Sequence, residues 1–194
     1  MKKLLLSAVL VATLGAVAVA NAATPVTSGT ITITGQVIAP TCTVTVNGSA
    51  NPTINLTPYY DINALTLGNA VSWTPVTMTL TGCGVTSNAT KVYPYFTGGN
   101  IDPTNGYLKN TIASGSGGSN VEIVLSNSQT LTAGATGPLT LQNASGSQNT
   151  GTVTLPTSGT ATLTFSYFAA YVAALGNATP GGVSTSVQYA LNYQ

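Results

Sequence analysis

The 194-residue chain is 43% hydrophobic and carries only four lysines and three acidic residues, with no arginine and no histidine. So few basic residues exclude a nucleic-acid-binding protein, because neutralising phosphates requires clustered Lys and Arg. The absence of histidine excludes Ser-His and Cys-His nucleophile pairs, and the abundant Val, Ile, Leu and Thr argue against disorder.

The first 22 residues have the layout of a secretory signal peptide. Met-Lys-Lys precedes a largely apolar run over residues 4–19, and Ala20-Asn21-Ala22 supplies a small-residue cleavage site. The run is shorter than a transmembrane helix needs. Residues 23–194 then hold two lysines and three acids, a net charge of −1.

Short strands are predicted along the rest of the chain, because apolar residues alternate with Thr or Ser between segments rich in Gly, Pro and Asn. Such a pattern indicates an all-β sandwich or barrel in one domain. The predicted strands are residues 30–37, 43–46, 53–56, 76–80, 121–125, 151–155, 160–172 and 183–193.

Two further local features follow from proline and glycine. A helical turn is predicted near residues 61–65, after Pro58 and before Gly68. Pro94 lies inside the apolar segment 92–96 and cannot donate a ladder hydrogen bond, so this segment is predicted to lie at a sheet edge or a bulge.

The residues offer little for catalysis. The only acids are Asp61, Asp102 and Glu122, and each lies in or next to turn-like sequence, where a lone acid usually faces solvent. The glycines match neither a phosphate-binding loop nor a dinucleotide fingerprint. The sequence therefore predicts a protein that is not an enzyme, with no metal site and no cofactor.

The two cysteines, Cys42 and Cys83, both follow the signal peptide. An oxidising periplasm favours a disulfide between them, and the absence of histidine makes a zinc site improbable.

Three stretches resemble type 1 fimbrial major pilins of the chaperone-usher family. Residues 29–42, GTITITGQVIAPTC, are similar to the arm before the first cysteine, and residues 76–83, VTMTLTGC, to the strand carrying the second. The tail has the aromatic-x-Ala-x-Tyr strand at residues 167–171, a glycine fourteenth from the end (Gly181) and a penultimate tyrosine (Tyr193). The likeness covers most of the chain after residue 22, apart from residues 97–150.

This resemblance implies an incomplete immunoglobulin-like β-sandwich that is completed by a donor strand from a neighbouring subunit. It divides the chain into a signal peptide (1–22), an N-terminal donor-strand extension (23–36) and a pilin domain (37–194). The implied function is a structural subunit of an adhesive fimbrium, with the shaft favoured over an adaptor, located on the cell surface after export through the periplasm.

Residue roles follow from the resemblance together with the two-residue period of a strand. In the arm, one face carries Thr27, Gly29, Ile31 and Ile33, which would enter a neighbour's groove. In the tail, Val187, Tyr189, Leu191 and Tyr193 share a face, and with Gly181 would form the groove edge and the chaperone-recognition strand. The implied partners are copies of the chain itself, other pilus subunits, a periplasmic chaperone and an outer-membrane usher.

Two alternatives remain open from the residues alone. Residues 30–37 would equally suit the first internal strand of a closed sandwich. A self-contained secreted lectin or adhesin domain is the other reading, in which Trp73 and the tyrosines stack on sugars.

Overall fold

The computed structural model describes residues 42–84 and 89–194. The signal peptide, the arm with Thr27, Gly29, Ile31 and Ile33, and the strand predicted over residues 30–37 lie outside the described residues. Within them the strands are β1 Thr43–Val46, β2 Ala70–Gly84, β3 Lys91–Thr97, β4 Glu122–Ser126, β5 Val153–Thr154, β6 Thr160–Val172 and β7 Gln188–Tyr193, with 3-10 turns at Ile62–Ala64 and Ser114–Ser116.

The strands form two antiparallel sheets, one in the order β1-β2-β6-β4 and the other β5-β3-β7. The predicted immunoglobulin-like sandwich is therefore confirmed. Across the described residues, no helix is long and apolar enough to cross a membrane.

Strand β6 shows how the alternating sequence builds the core. Thr162, Thr164 and Ser166 are exposed, whereas Phe165 and Tyr167 between them are buried. The apolar face of β6 packs with that of β2 and with β3 in one main cluster. The core includes Val76, Met78, Leu80, Val92, Phe96, Leu108, Ile123, Leu125, Leu139, Leu141, Leu155, Phe165, Tyr167 and Ala169.

Three predicted strands are absent or much shorter than predicted. Of residues 151–155, only Val153–Thr154 form a strand. Residues 53–56 form no strand, although their alternation persists as half-buried Ile54 and Leu56 beside exposed Thr53 and Asn55. Of residues 183–193, only Gln188–Tyr193 form β7, because the partner β3 ends at Thr97, opposite Gln188. The irregular segments 53–56 and 183–187 border the same opening in the sandwich.

The edge prediction for Pro94 needs a correction. Strand β3 is the middle strand of its sheet, yet β5 pairs with it only at Lys91 and Val92. Beyond that point side chains replace the strand: Thr150 donates to the Pro94 carbonyl at 2.6 Å, and Gln148 bonds Phe96. The missing N–H of Pro94 therefore faces a side of β3 that has no strand ladder.

Candidate functional site

A long apolar groove opens between residues 52–56 and residues 183–187. Its cavity has a volume of about 490 Å³. The floor is the main core itself, contributed by both sheets. It comprises Val46, Val76, Met78, Phe96, Leu108, Ile123, Leu125, Tyr167 and Ala169.

The two walls of the groove alternate like strands. On one wall Pro52, Ile54 and Leu56 turn inwards, and on the other Val183, Thr185, Val187 and Tyr189 do so. Serines 184 and 186 face away and bond the neighbouring loops, the Ser184 carbonyl accepting from the Thr111 N–H at 2.8 Å. The inward residues therefore flank a cavity above the buried core.

Both walls carry main-chain groups that are unpaired. Within the described part of the chain, the N–H and C=O groups of Ile54, Thr185 and Val187 have no hydrogen-bond partner. Across the groove, Tyr189 donates from its hydroxyl to the Ala50 carbonyl at 2.7 Å. An apolar floor flanked by unpaired edges is the geometry of a sandwich that lacks one strand.

One polar atom stands out inside the groove. The Thr185 hydroxyl oxygen is buried and has no partner among the described residues. By contrast, the floor residue Tyr167 is satisfied, since its hydroxyl donates to the Thr150 carbonyl at 2.6 Å. Burial raises the pKa of Tyr167, so its hydroxyl stays protonated.

The groove continues past Val183 into a second cavity of about 290 Å³. Pro58, Tyr59, Leu65 and Tyr171 line it together with Gly181. A Cβ on Gly181 would collide with the main chain of residues 117–119. Glycine is therefore required there by close packing of the two backbones, which also meet in a bridge between residues 118 and 182.

The predicted tail residues lie along this site as follows. Val187 and Tyr189 line the main groove, and Gly181 lines the adjoining cavity. Leu191 and Tyr193 lie beyond it on the same face, and both pack against the core. The alternation thus brings the side chains to one face; the chaperone-recognition role remains a prediction.

The disulfide prediction is confirmed, because Cys42 and Cys83 are bonded. The bond ties the start of β1 to the end of β2, where Thr43 pairs with Thr81. Cys83 is fully buried. The bridge therefore fixes the start of β1 to the buried end of β2.

The three acids lie in different surroundings. Asp61 is exposed before the 3-10 turn, and Glu122 is buried on the face of β4 opposite the groove residues Ile123 and Leu125. Asn105 donates to one Glu122 oxygen at 2.8 Å. Burial raises the pKa of Glu122, while the Thr104 main-chain N–H lowers that of Asp102. The described residues include no group of three or more potential metal ligands.

Trp73, the residue behind the lectin alternative, does not reach the groove. It packs on the outer face of the first sheet with Ala170 and Val172. Ser72 has a positive φ of 60°, and the register of β2 shifts between Val71 and Thr74. This bulge turns the indole to the outer face.

Most residues of the groove floor, and those of the first wall, were not predicted from the sequence to line a groove. Leu108 and Ala169 carry no signal that separates a groove residue from an ordinary core residue. The alternation at Ile54 and Leu56 was the available signal, but it is equally typical of a paired strand.

Comparison with known proteins places the chain in a family. The family model "Type-1 fimbrial protein, A" matches residues 52–194. The chain is 38% identical to F17 fimbrial protein of Escherichia coli over 91% of its own length and 93% of the relative's. It is 37% identical to major fimbrial subunit SMF-1 of Stenotrophomonas maltophilia, covering 90% of the chain and 95% of the relative. A partial match, 36% identical over 48% of the chain and 52% of the relative, links it to protein FimG of E. coli.

The matched range contains both walls of the groove, and the full-length relatives extend the likeness across most of the chain. The chain belongs to the type-1 fimbrial protein family, whose members are non-enzymatic structural subunits of cell-surface fimbriae.

Proposed function

We propose that this protein is the shaft subunit of a chaperone-usher fimbrium and that it polymerises by donor-strand exchange. The observation that carries the proposal is the groove, with its apolar floor and its unpaired main chain on both walls. Exposing such a groove to water is energetically unfavourable, so pairing with an added strand is favoured. The proposed occupant is the arm, residues 23–36, of a second copy.

The arm matches the groove in length and pattern. Thr27 to Ile33 spans about 20 Å when extended, at roughly 3.3 Å per residue, as does the wall from Val183 to Tyr189. Ile31 and Ile33 would cover the floor, and main-chain hydrogen bonds would satisfy the walls. Gly29 would let the two backbones approach closely.

Before assembly the same surface needs another cover. We assign this role to a periplasmic chaperone that adds its own strand beside Val187, Tyr189, Leu191 and Tyr193, with Gly181 at the end of the groove. An outer-membrane usher would then exchange that strand for the next arm. The shaft role is supported by the near-complete coverage of a relative named as a major fimbrial subunit.

The test compares arm variants at groove-facing positions with a variant at an outward-facing position. Ile31→Asp places a charge in the groove and Gly29→Trp adds bulk, whereas the control Thr32→Asp places a charge on the outward face. The expected result is loss of surface fibres for the first two, with the chaperone complex retained, and normal fibres for Thr32→Asp. Normal-length fibres from Ile31→Asp in negative-stain microscopy would overturn the proposal.

A further inference from the structure

The large apolar side chains that are exposed among the described residues gather at one end of the sandwich. Tyr60 is 89% exposed, Leu67 63% and Leu175 66%. The loops holding the two leucines are hydrogen bonded, Gly68 N–H to the Ala173 carbonyl at 2.9 Å and Leu67 N–H to the Asn177 side chain at 3.1 Å. We call Tyr60, Leu67 and Leu175 the leucine end.

The cysteine end, formed by Cys42 and Cys83, lies at the other end of the same sheet. Leu67 precedes the start of β2 and Cys83 is near its finish. At about 3.3 Å per residue, the two ends are separated by about 40 Å along the strand. The arm precedes Cys42 in the sequence, so the chain joins it to the cysteine end.

The leucine end adjoins the Val183 end of the groove. The cavity beyond Val183 is lined by Tyr59 and Leu65, which flank Tyr60 and the Leu67 turn. Ala178 donates its N–H to the Leu65 carbonyl at 3.0 Å, which ties the loop containing Leu175 to the same corner. An arm that leaves the groove past Val183 would run towards these exposed side chains.

The direction of the arm sets where the next subunit lies. Every strand pair in the two sheets is antiparallel, and an antiparallel ladder is the more stable kind. An arm antiparallel to residues 183–189 has Ile33 at the Val183 end. The nine residues from Ile33 to Cys42 reach at most about 30 Å, so the neighbour's cysteine end lies within about 30 Å of the Val183 end, which adjoins the leucine end.

We propose that the leucine end is a contact surface between successive subunits, covered by the cysteine end of the copy whose arm fills the groove. This rests on the proposed strand exchange but adds a second interface to it. The occupant suits the surface chemically, because Ile38, Ala39 and Pro40 lie between the arm and Cys42 in the sequence. Burial of the two leucines and the tyrosine removes apolar surface that a monomer exposes.

The experiment places a photo-crosslinking benzophenone residue at Leu175 in the full-length chain and irradiates intact fimbriae. We expect a dimer that persists after boiling in acid, with the crosslink mapped by mass spectrometry to residues 38–43 or 81–84. The control probe at Thr162, exposed on the middle of β6, should give no crosslink to those residues. No dimer, or a dimer linked elsewhere, would overturn the proposal.

Two variants make the outcome independent of the probe. Leu67→Lys with Leu175→Lys should leave a strand-linked ladder in unheated electrophoresis but shorten fibres several-fold, whereas Thr162→Lys should not. If fibres carrying both lysines keep their normal length, the inference fails while strand exchange stands. If Ile31→Asp fibres still assemble, strand exchange itself fails.

Discussion

The side chain of Gln148 pairs with both main-chain groups of Phe96, accepting from its N–H at 2.9 Å and donating to its carbonyl at 2.8 Å. The same amide nitrogen donates to the Leu141 carbonyl at 2.9 Å. A buried glutamine thus replaces the strand that β5 is too short to provide. It closes the side of β3 that faces away from β7, whereas the groove between residues 52–56 and 183–187 stays open.

Gln148→Ala should therefore destabilise the subunit. The Phe96 N–H and carbonyl would be left buried without partners, at a cost of about 2 to 4 kcal/mol for the two groups together. Guanidinium unfolding of purified fimbriae would measure this as a lower midpoint. The exposed Gln129→Ala is the matched control, and equal midpoints for the two variants would contradict the role of Gln148.

Removing the disulfide should also destabilise the subunit. A bridge with a sequence separation of 41 residues restricts the unfolded chain by up to about 4 kcal/mol on the loop-entropy model. The double variant Cys42→Ser/Cys83→Ser should show a lower unfolding midpoint and a lower yield of surface subunit. An unchanged midpoint in the double variant would show that the bridge adds no stability.

Filling the groove from its floor should block assembly without touching the arm. Ala169 is buried beneath the groove, so Ala169→Phe places a ring where the incoming strand has to lie. We expect loss of the polymer ladder in unheated electrophoresis. Thr164→Phe, on the exposed face of the same strand, should leave the ladder intact. A normal ladder from Ala169→Phe would mean that the groove is not occupied in the polymer.

Glu122 should make stability fall as pH rises. Burial raises its pKa in the folded protein, which Asn105 partly offsets, so the folded state binds more protons than the unfolded state between the two pKa values. Its contribution is thus complete below the ordinary glutamate pKa and declines as pH increases through the raised one. Glu122→Gln should flatten this decline and stabilise the protein at neutral pH in thermal unfolding.

Asp102 provides a control whose effect on stability should have the opposite pH dependence. The Thr104 N–H lowers its pKa, so its contribution is present above the ordinary aspartate pKa and declines as pH falls. Asp102→Asn should therefore remove stability at neutral pH. If Glu122→Gln and Asp102→Asn shift the pH profile in the same direction, the assignment of Glu122 is wrong.

The sequence predicted strands well where a partner strand is present along the whole segment. Thr43–Val46 and Thr160–Val172 have the predicted bounds, since each alternates cleanly and pairs along its length. Residues 53–56 and 183–187 alternate equally well, but no strand of the described residues pairs with them. Periodicity reports which side chains face the core and says nothing of whether a partner strand exists.

The groove could be predicted only in part for the same reason. The shared face of Val187 and Tyr189 could be predicted from the two-residue period of a strand. The positions of Leu108 and Ala169 in the groove floor depend on how the two sheets stack. Gln148 was not predictable, because its role requires β5 to begin only at Val153, after Gln148 in the chain. Such contacts arise from tertiary packing between residues distant in sequence.

The most direct test of strand exchange is an electron cryomicroscopy map of intact fimbriae at side-chain resolution. Strand exchange predicts a strand between residues 52–56 and 183–187, with Ile31 and Ile33 of a neighbouring subunit facing Leu125 and Ala169. An empty groove, or a groove filled by the arm of the same subunit, would contradict it.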